Sequence, residues 1–325
     1  MTQPDVKRKF HLARLHPSFG KVGGIVIAFI LLCIALSIAS PVFLSLENLM
    51  IMARQAVFVL IISLAMTFVI ATGGIDLSVG AILAITGVFV AKMLLAGWSL
   101  LVVIPGALLL GAFFGLINGL LIAGIGIADF IATLGMLSIL RGAVMLVTHG
   151  VPVFGLQNRA FRYLAQGYIG PIPFPIILTV VLFGICYFVM ERTRFGRYVI
   201  ALGSNREAAI LVGIRIRKIK IIVYTMSGIF AAISAVLLTS RMEAAMPEAG
   251  SGWELDVIAA TVIGGTSLAG GNAYLVGTVL GALVMAVVRN GLNLLSVNVF
   301  WHQVVIGVII LTAVALDTLK VRKKG

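Results

Sequence analysis

Apolar residues fall along the chain in ten blocks, at 22–40, 49–71, 79–96, 100–123, 130–147, 174–190, 221–239, 257–269, 274–292 and 299–316. A helix that crosses a bilayer needs about 20 predominantly apolar residues, and eight of the blocks read as full spans. Block 49–71 carries Arg54 and Gln55 near its start, so its first turns are read as interfacial. Block 257–269 has only 13 residues and contains Gly264-Gly265, so it is no ordinary span. The pattern predicts an all-α, polytopic membrane protein of about ten transmembrane helices.

Composition makes that reading firm. Hydrophobic residues are 61% of the 325 and charged ones 11%, against roughly 45–50% and 25% in soluble domains. Such a chain cannot cover a water-soluble surface, which excludes most soluble enzymes and leaves no room for a separate soluble domain. The expected organisation is one membrane domain, 22–318, between basic tails at 1–21 and 319–325. The two cysteines, Cys33 and Cys186, lie inside apolar blocks and read as packing residues. No cleavable signal pattern precedes the first block.

The net charge of +13 bears on orientation rather than on nucleic acid, for which no partner role is expected. Segments 1–21, 191–220 and 319–325 together hold 17 of the 24 basic residues. Lys and Arg collect on the cytoplasmic side, and an even span count places all three segments there, with both termini inside. The opposite side receives the 148–173 loop and the acidic 241–256 loop, with Glu243, Glu248, Glu254 and Asp256.

Two segments repeat a GGxxLxxG pattern, from Gly73-Gly74-Ile75-Asp76-Leu77-Ser78 to Gly80, and from Gly264-Gly265-Thr266-Ser267-Leu268 to Gly271. Each separates two apolar blocks. Glycine-interrupted segments in both halves of a transporter point to broken helices, whose free backbone groups must face protein or a wet cavity. Two readings stand: tight turns between spans, or segments that line or gate a pathway. Asp76 reads as a cap for the helix starting at Leu77 or an interhelical hydrogen-bond partner, in preference to a proton site. Small residues recur every four positions at Ala107, Gly111, Gly115, Gly119 and Ala123, and again at Ala273, Gly277 and Gly281, which predicts close helix packing. Arg141 and Arg289 sit late in their spans and can snorkel, while His302 reads as a hydrogen-bonded packing residue. No acidic and histidine relay signals ion coupling.

Nucleotide, metal and catalytic patterns are missing. Gly265 to Gly271 lacks the K[ST] of a P-loop, and Gly124-Ile125-Gly126 ends a GxGxxG in Asp129. No cofactor is expected, and any ATPase is another chain. The longest polar inner segment, 191–220, contains Ser204-Asn205-Arg206-Glu207, which fits a capping box. Ala208, Ala209, Ile210, Leu211 and Val212 follow, and Gly213 suits a helix C′ position. The result is a short apolar helix amid positive charge, either docking on a partner or lying on the bilayer.

The stretch GRYVIALGSNREAAILVGIRIRKIKIIVY resembles the cytoplasmic coupling loop of the ribose-type sugar permeases of bacterial ABC importers. GGIDLSVGAILAITG, FIATLGMLSILRG, ELDVIAATVIGGTSLAGG and NGLNLL are similar to further stretches of that family, and the resemblance runs from about Pro41 to Asp317. It implies about ten spans in the bacterial inner membrane, no ATP site, a second permease copy or related permease chain, a cytoplasmic ABC ATPase beneath, and a periplasmic sugar-binding protein above. It implies that the 204–213 helix, with Ser204, Asn205, Glu207, Ala208, Ala209, Leu211 and Gly213, docks on the ATPase. Glu207-Ala208-Ala209 and Gly213 fit the E-A-A-x3-G start of the wider importer motif, whose second half is not evident. The translocation path would run near Gly73, Gly74, Asp76, Ser78, Gly264, Gly265, Thr266 and Ser267. The implied activity is passive passage of a monosaccharide or polyol, powered by a partner's ATP. An amino-acid or autoinducer permease of the same fold, an ion-coupled secondary carrier and a channel are the rivals.

Overall fold

The computed structural model describes residues 18–322. Lys7, Arg8, Lys9, Arg14, Lys323 and Lys324, counted above for orientation, lie outside the described residues. The apolar blocks form helices α1 (Ser18–Ala39), α2 (Leu46–Ala71), α3 (Val79–Leu95), α4 (Leu100–Leu120), α5 (Asp129–Thr148), α7 (Phe174–Arg192), α10 (Ile216–Met242), α11 (Trp253–Ile263), α12 (Leu275–Leu294) and α13 (Val299–Arg322). Between them lie α6 (Arg159–Gln166), the strands β1 (Tyr168–Ile169) and β2 (Ile172–Pro173), α8 (Arg194–Ser204) and α9 (Arg206–Leu211). A π-helical turn, Leu121–Ile125, extends α4 and ends at the left-handed Gly126.

The chain is an all-α membrane protein with one two-stranded hairpin. Among the described residues, six helices are long and apolar enough to cross a bilayer: α2, α4 with its π turn, α5, α7, α10 and α12. Shorter apolar stretches are Gly23–Ala39, Val79–Leu95 and Phe300–Thr312. Ten crossings are therefore not reached on length and apolarity alone. At a rise of about 1.5 Å per residue, the 11 residues of α11 span only about 16 Å, half of a hydrocarbon core of about 30 Å.

Helices α2 and α10 form the centre. Ile61, Ile62, Leu64, Met66, Phe68 and Ile70 of α2 are fully buried, and α10 packs on α2, α3 and α4. The outward faces of α4, α5 and α7 present Leu109, Phe113, Ile139, Leu146, Val180 and Phe188, which suits lipid. The small-residue face of α4 packs backbone to backbone on α10. A Cβ added to Gly111 would come within 2.6 Å of the Ala232 Cβ, one at Gly115 within 2.9 Å of the Thr225 Cα, and one at Gly119 within 2.7 Å of the Ile221 Cα. Gly277 and Gly281 of α12 press on Gly264 and Ala260 in the same manner. Ala273 takes no part in that helix face, because α12 begins only at Leu275.

Inside this frame polar side chains pair with one another. The amides of Asn48 and Asn290 exchange hydrogen bonds of 3.0 and 2.8 Å, and the Thr67 and Thr278 hydroxyls lie 2.8 Å apart. His302 is buried with its Nε2 3.2 Å from the Val297 carbonyl, as expected of a packing residue. Arg54, near the start of α2, stacks its guanidinium 4.9 Å from the Tyr168 ring centroid in the hairpin.

Close helix approach yields a direct prediction. Gly115→Ala should destabilise the detergent-solubilised protein by roughly 1–3 kcal/mol through overpacking. Gly135→Ala, whose added Cβ meets nothing within 4 Å, should be neutral or mildly stabilising. Thermal unfolding of the two variants side by side checks this, and equal effects would contradict it.

Candidate functional site

The two glycine segments are built alike, though one register step away from the sequence alignment. Thr72 ends α2, Gly73 follows in the left-handed region at φ 75°, and the N–H groups of Gly73 and Gly74 donate to the Ile70 and Val69 carbonyls. Gly264 ends α11, Gly265 follows at φ 94°, and the N–H groups of Gly265 and Thr266 donate to the Val262 and Thr261 carbonyls. Both are Schellman caps, in which the two residues after the cap close carbonyls that the helix leaves open. Gly73 thus corresponds to Gly265, whereas the sequence pattern set Gly73 against Gly264.

Around the first break sits a buried hydrogen-bond network. The Asp76 carboxylate, fully buried, accepts from the Ser78 N–H at 3.0 Å, the Ser78 hydroxyl at 2.6 Å and the Ser227 hydroxyl of α10 at 2.8 Å. Asn118 of α4 donates to the Ser78 Oγ at 2.8 Å. The helix that follows begins at Val79 rather than Leu77, so Asp76 joins the loop to α10 and α4 as an interhelical partner. A second cluster holds the same loop from below. Asp129 accepts from Lys220 at 2.6 Å and from Tyr224 at 2.8 Å, and Tyr224 also donates to the Ile75 carbonyl at 3.2 Å. Gly74 lies against this pair; a Cβ there would meet the Asp129 carboxylate and the Tyr224 hydroxyl.

The second break is held mainly by backbone. Gly264 lies against Gly277 and Thr278, so closely that a Cβ would stand 2.5 Å from the Gly277 carbonyl carbon. Thr266 is buried and accepts from the Tyr274 N–H at 3.1 Å. The Ser267 carbonyl accepts from the Gly270 N–H at 3.0 Å. The two breaks meet: the Gly271 N–H donates to the Ala71 carbonyl at 3.0 Å.

On the same end of the bundle lie α8 and α9. The expected capping box is displaced by one residue. Ser204 closes α8, its hydroxyl donating to the Ile200 carbonyl at 2.9 Å and the Gly271 carbonyl at 3.3 Å. Asn205 is the cap of α9, accepting from the Ala208 N–H at 2.9 Å. Asn is as good a cap as Ser, and Ser204 is already engaged elsewhere. Glu207 is exposed in the first turn of α9, Ala209 is buried, and Gly213 ends the turn at φ 79°. Leu211 is 87% exposed and Val212 74%, so the apolar edge of α9 is uncovered among the described residues.

The opposite end carries the two other loops, joined by a bridge in which Val153 and Ala245 exchange backbone hydrogen bonds of 2.9 Å. Arg162 of α6 pairs with Glu243 and holds its carboxyl below the usual carboxylate range. Arg141 donates to the Pro247 and Ala249 carbonyls at 3.2 and 2.9 Å, so it clamps this loop. Glu254 and Asp256 belong to α11 rather than to the loop, and Asp256 is paired with Arg289 of α12. A cleft of about 710 Å³ opens here, lined by Met145, Met242, Met246, Glu248 and Trp253.

Several participants escaped the sequence reading. Ser227 and Tyr224 sit within α10 and Asn118 near the end of α4, with nothing local to mark them. Asp129 stood out only as the residue that spoils a GxGxxG, and Lys220 only as loop charge, although it lies in the second turn of α10.

Comparison with known proteins places the chain among membrane permeases. Residues 48–314 match the family described as "Branched-chain amino acid transport system / permease component". The ribose import permease protein RbsC of Bacillus subtilis is 44% identical over 301 residues, 92% of this chain and 93% of that protein. The D-allose transport system permease protein AlsC of Escherichia coli is 37% identical over 319 residues, 98% of this chain and 97% of that one. The L-arabinose ABC transporter permease protein AraH of Azospirillum brasilense is 37% identical over 294 residues, 90% and 86%. No solved structure matches.

The Asp76 network predicts a measurable coupling. Asp76→Ala leaves buried donors without acceptors and should cost roughly 1–3 kcal/mol, and Ser227→Ala less. A double-mutant cycle on unfolding in detergent should give an interaction energy of at least about 0.5 kcal/mol. Strict additivity would mean that the two side chains do not act together.

Proposed function

The chain belongs to the branched-chain amino acid transport system permease-component family, and from that premise we propose that it is the membrane permease of an ATP-binding-cassette importer for a monosaccharide or polyol. The observation that carries the substrate class is the 37–44% identity to permeases named for ribose, allose and arabinose, across at least 90% of this chain. The family description names branched-chain amino acids, and an amino-acid permease of the same fold is the second reading.

Ten helices cross the inner membrane in this reading, with 22–318 as one domain and the basic tails 1–21 and 319–325 both cytoplasmic. Contacts sort the loops in its support. The Ile75, Asp129, Ser204, Lys220 and Gly271 contacts gather one set of loops. The Val147, Val153, Gln166, Ala245 and Pro247 contacts gather the set that alternates with it. Alternation through α2 to α12 is what successive crossings require, and it counts α3 and α11 as crossings although each is short. Short helices are tolerated at depth where protein covers the backbone that continues them.

The cytoplasmic set includes α8 and α9, and there an ABC ATPase docks on the apolar edge at Leu211, with Glu207, Ala208 and Ala209 on the same short helix and Gly213 just beyond its end. A periplasmic sugar-binding protein delivers substrate to the surface formed by α6, the hairpin and the 243–252 loop, and a second permease copy or related chain completes the path. Gly73, Gly74, Asp76, Ser78, Gly264, Gly265, Thr266 and Ser267 lie by that path. ATP closing the ATPase pair favours one arrangement of the permeases and nucleotide release the other, a shift of populations that requires no chemistry from this chain.

Two outcomes test the reading. Leu211→Asp exchanges an apolar contact worth roughly 1.5–3 kcal/mol for a desolvated charge, so it should release the ATPase from purified complexes and abolish uptake while membrane insertion persists. In proteoliposomes wild-type uptake of ribose, allose or arabinose should need ATP inside and binding protein outside. Uptake by this chain alone on a proton or sodium gradient would reject the importer. Gly265→Leu forces a branched side chain into positive φ, at roughly 1–2 kcal/mol, and should impair uptake in protein that still reaches the membrane; normal uptake would remove this break from the mechanism.

A further inference from the structure

Three stretches far apart in sequence touch chiefly through backbone at the cytoplasmic end. The last residue of α2, Ala71, accepts from Gly271 beyond the second break. Gly203, next to the end of α8, sits directly on that hydrogen bond: a Cβ there would collide with the Ala71 carbonyl oxygen and the Gly271 nitrogen. Gly270, at φ 82°, leaves room for a Cβ only 2.9 Å from the Gly73 nitrogen and 3.0 Å from the Gly203 Cα. Gly271, at φ 72°, would bring a Cβ within 2.6 Å of the Ser204 hydroxyl, which itself donates to the Gly271 carbonyl. Both breaks and the end of α8 therefore share one knot.

Only Asn205 stands between α8 and α9. It has no slack, since its N–H donates to the Ala201 carbonyl and its side chain caps α9. At its other end α8 is pressed on α7, where a Cβ on Gly196 would lie 2.6 Å from the Met190 Cα. Flexible side chains could absorb a small displacement, but backbone packed on backbone cannot. Packed contacts of this kind switch between arrangements rather than deform continuously.

We propose that Gly203 and Ser204 are positioning residues that join the ATPase-docking helix α9 to both helix breaks at once, through the Ala71–Gly271 hydrogen bond. The proposal rests on the importer reading and specifies how docking would reach the path. Movement of α9 drags the end of α8, which shifts the caps at Gly73 and Gly265 together. Gly203 and Ser204 both belong to α8 rather than to α9 with its exposed edge, so Ser204 leaves the docking set that the resemblance implied, and substitution of either should spare docking and damage only transmission.

The test uses the whole complex in proteoliposomes, with ribose, allose and arabinose as probes. Gly203→Ala and Ser204→Ala are compared with Ser138→Ala, a hydroxyl on α5 that bonds only its own helix. In both junction variants the ATPase should co-purify as in wild type. Uptake should fall, by about tenfold for Gly203→Ala and less for Ser204→Ala, and ATP hydrolysed per sugar imported should rise. Ser138→Ala should match wild type in all three measurements. If Gly203→Ala fails to fold, Ser204→Ala, which removes one exposed hydroxyl, decides the matter. Wild-type uptake and ATP cost in both variants would overturn the junction and leave the importer reading standing. Loss of the ATPase from either variant would also overturn it, since the defect would then lie in docking. A wild-type complex that imports none of the sugars with ATP would overturn the importer reading and the junction with it.

Discussion

Backbone N–H and C=O groups have no water to turn to in a bilayer, and this constraint organises the protein. Wherever a helix stops at depth, its last carbonyls must be met by the protein itself. The caps at Gly73 and Gly265 answer within the chain's own turns, and the remaining groups are covered by neighbours that come close enough only because they lack side chains. Glycine therefore appears in pairs across interfaces: Gly111 with Gly228, Gly264 with Gly277, and Gly203 with Gly270. The tight faces of α4 and α12 and the convergence of the two breaks are consequences of one requirement.

The sparse polar side chains obey the same logic. Asp76 has no salt bridge among the described residues and is met instead by two hydroxyls and an N–H. Asp129 and Asp256 are met by Lys220 and Arg289. The contacts to Ser227, Lys220 and Arg289 tie separate elements to one another where hydrophobic attraction between helices is weak, lipid being as apolar as the side chains.

Much of the fold was legible because lipid imposes a coarse code. Apolar block length located α2, α4, α5, α7 and α12, and the small-residue periodicity named the α4 face that packs on α10. Block edges were less clear: Arg217, Lys218 and Lys220 look like loop, yet they form the first turns of α10, where long stems can lie along apolar surface with the charge at the end. Helix α6 and the hairpin were invisible, being short, and α6 is held by distant contacts such as Ser240 with the Phe161 carbonyl and Arg162 with Glu243. The glycine pattern located two helix ends but missed their register, because the pattern aligned letters and the caps align hydrogen bonds. The capping box erred similarly. Ser204 and Asn205 are both good caps locally, but the Ser204 hydroxyl is engaged by the Ile200 carbonyl of its own helix and by the Gly271 carbonyl 67 residues away. The network at Asp76 depends on Asn118 and Ser227 from other helices, and no local pattern could have assembled it.

Division of labour between scaffold and selectivity follows from where these contacts lie. The interactions that close the bundle are backbone packing, paired amides and hydroxyls, and a few ion pairs, and most are already satisfied within the chain. A satisfied group has little left to offer a passing hydroxylated or amino-acid solute. The same frame can therefore stand behind a family description that names branched-chain amino acids and relatives named for three different sugars. Fold alone does not fix a function, and here the reason is physical: the groups that specify the fold are spent on one another. Discrimination must come from groups outside that frame. A transporter also gains from a weakly selective interior, because binding tight enough to discriminate at depth would slow release, whereas selection before entry leaves the path free to empty.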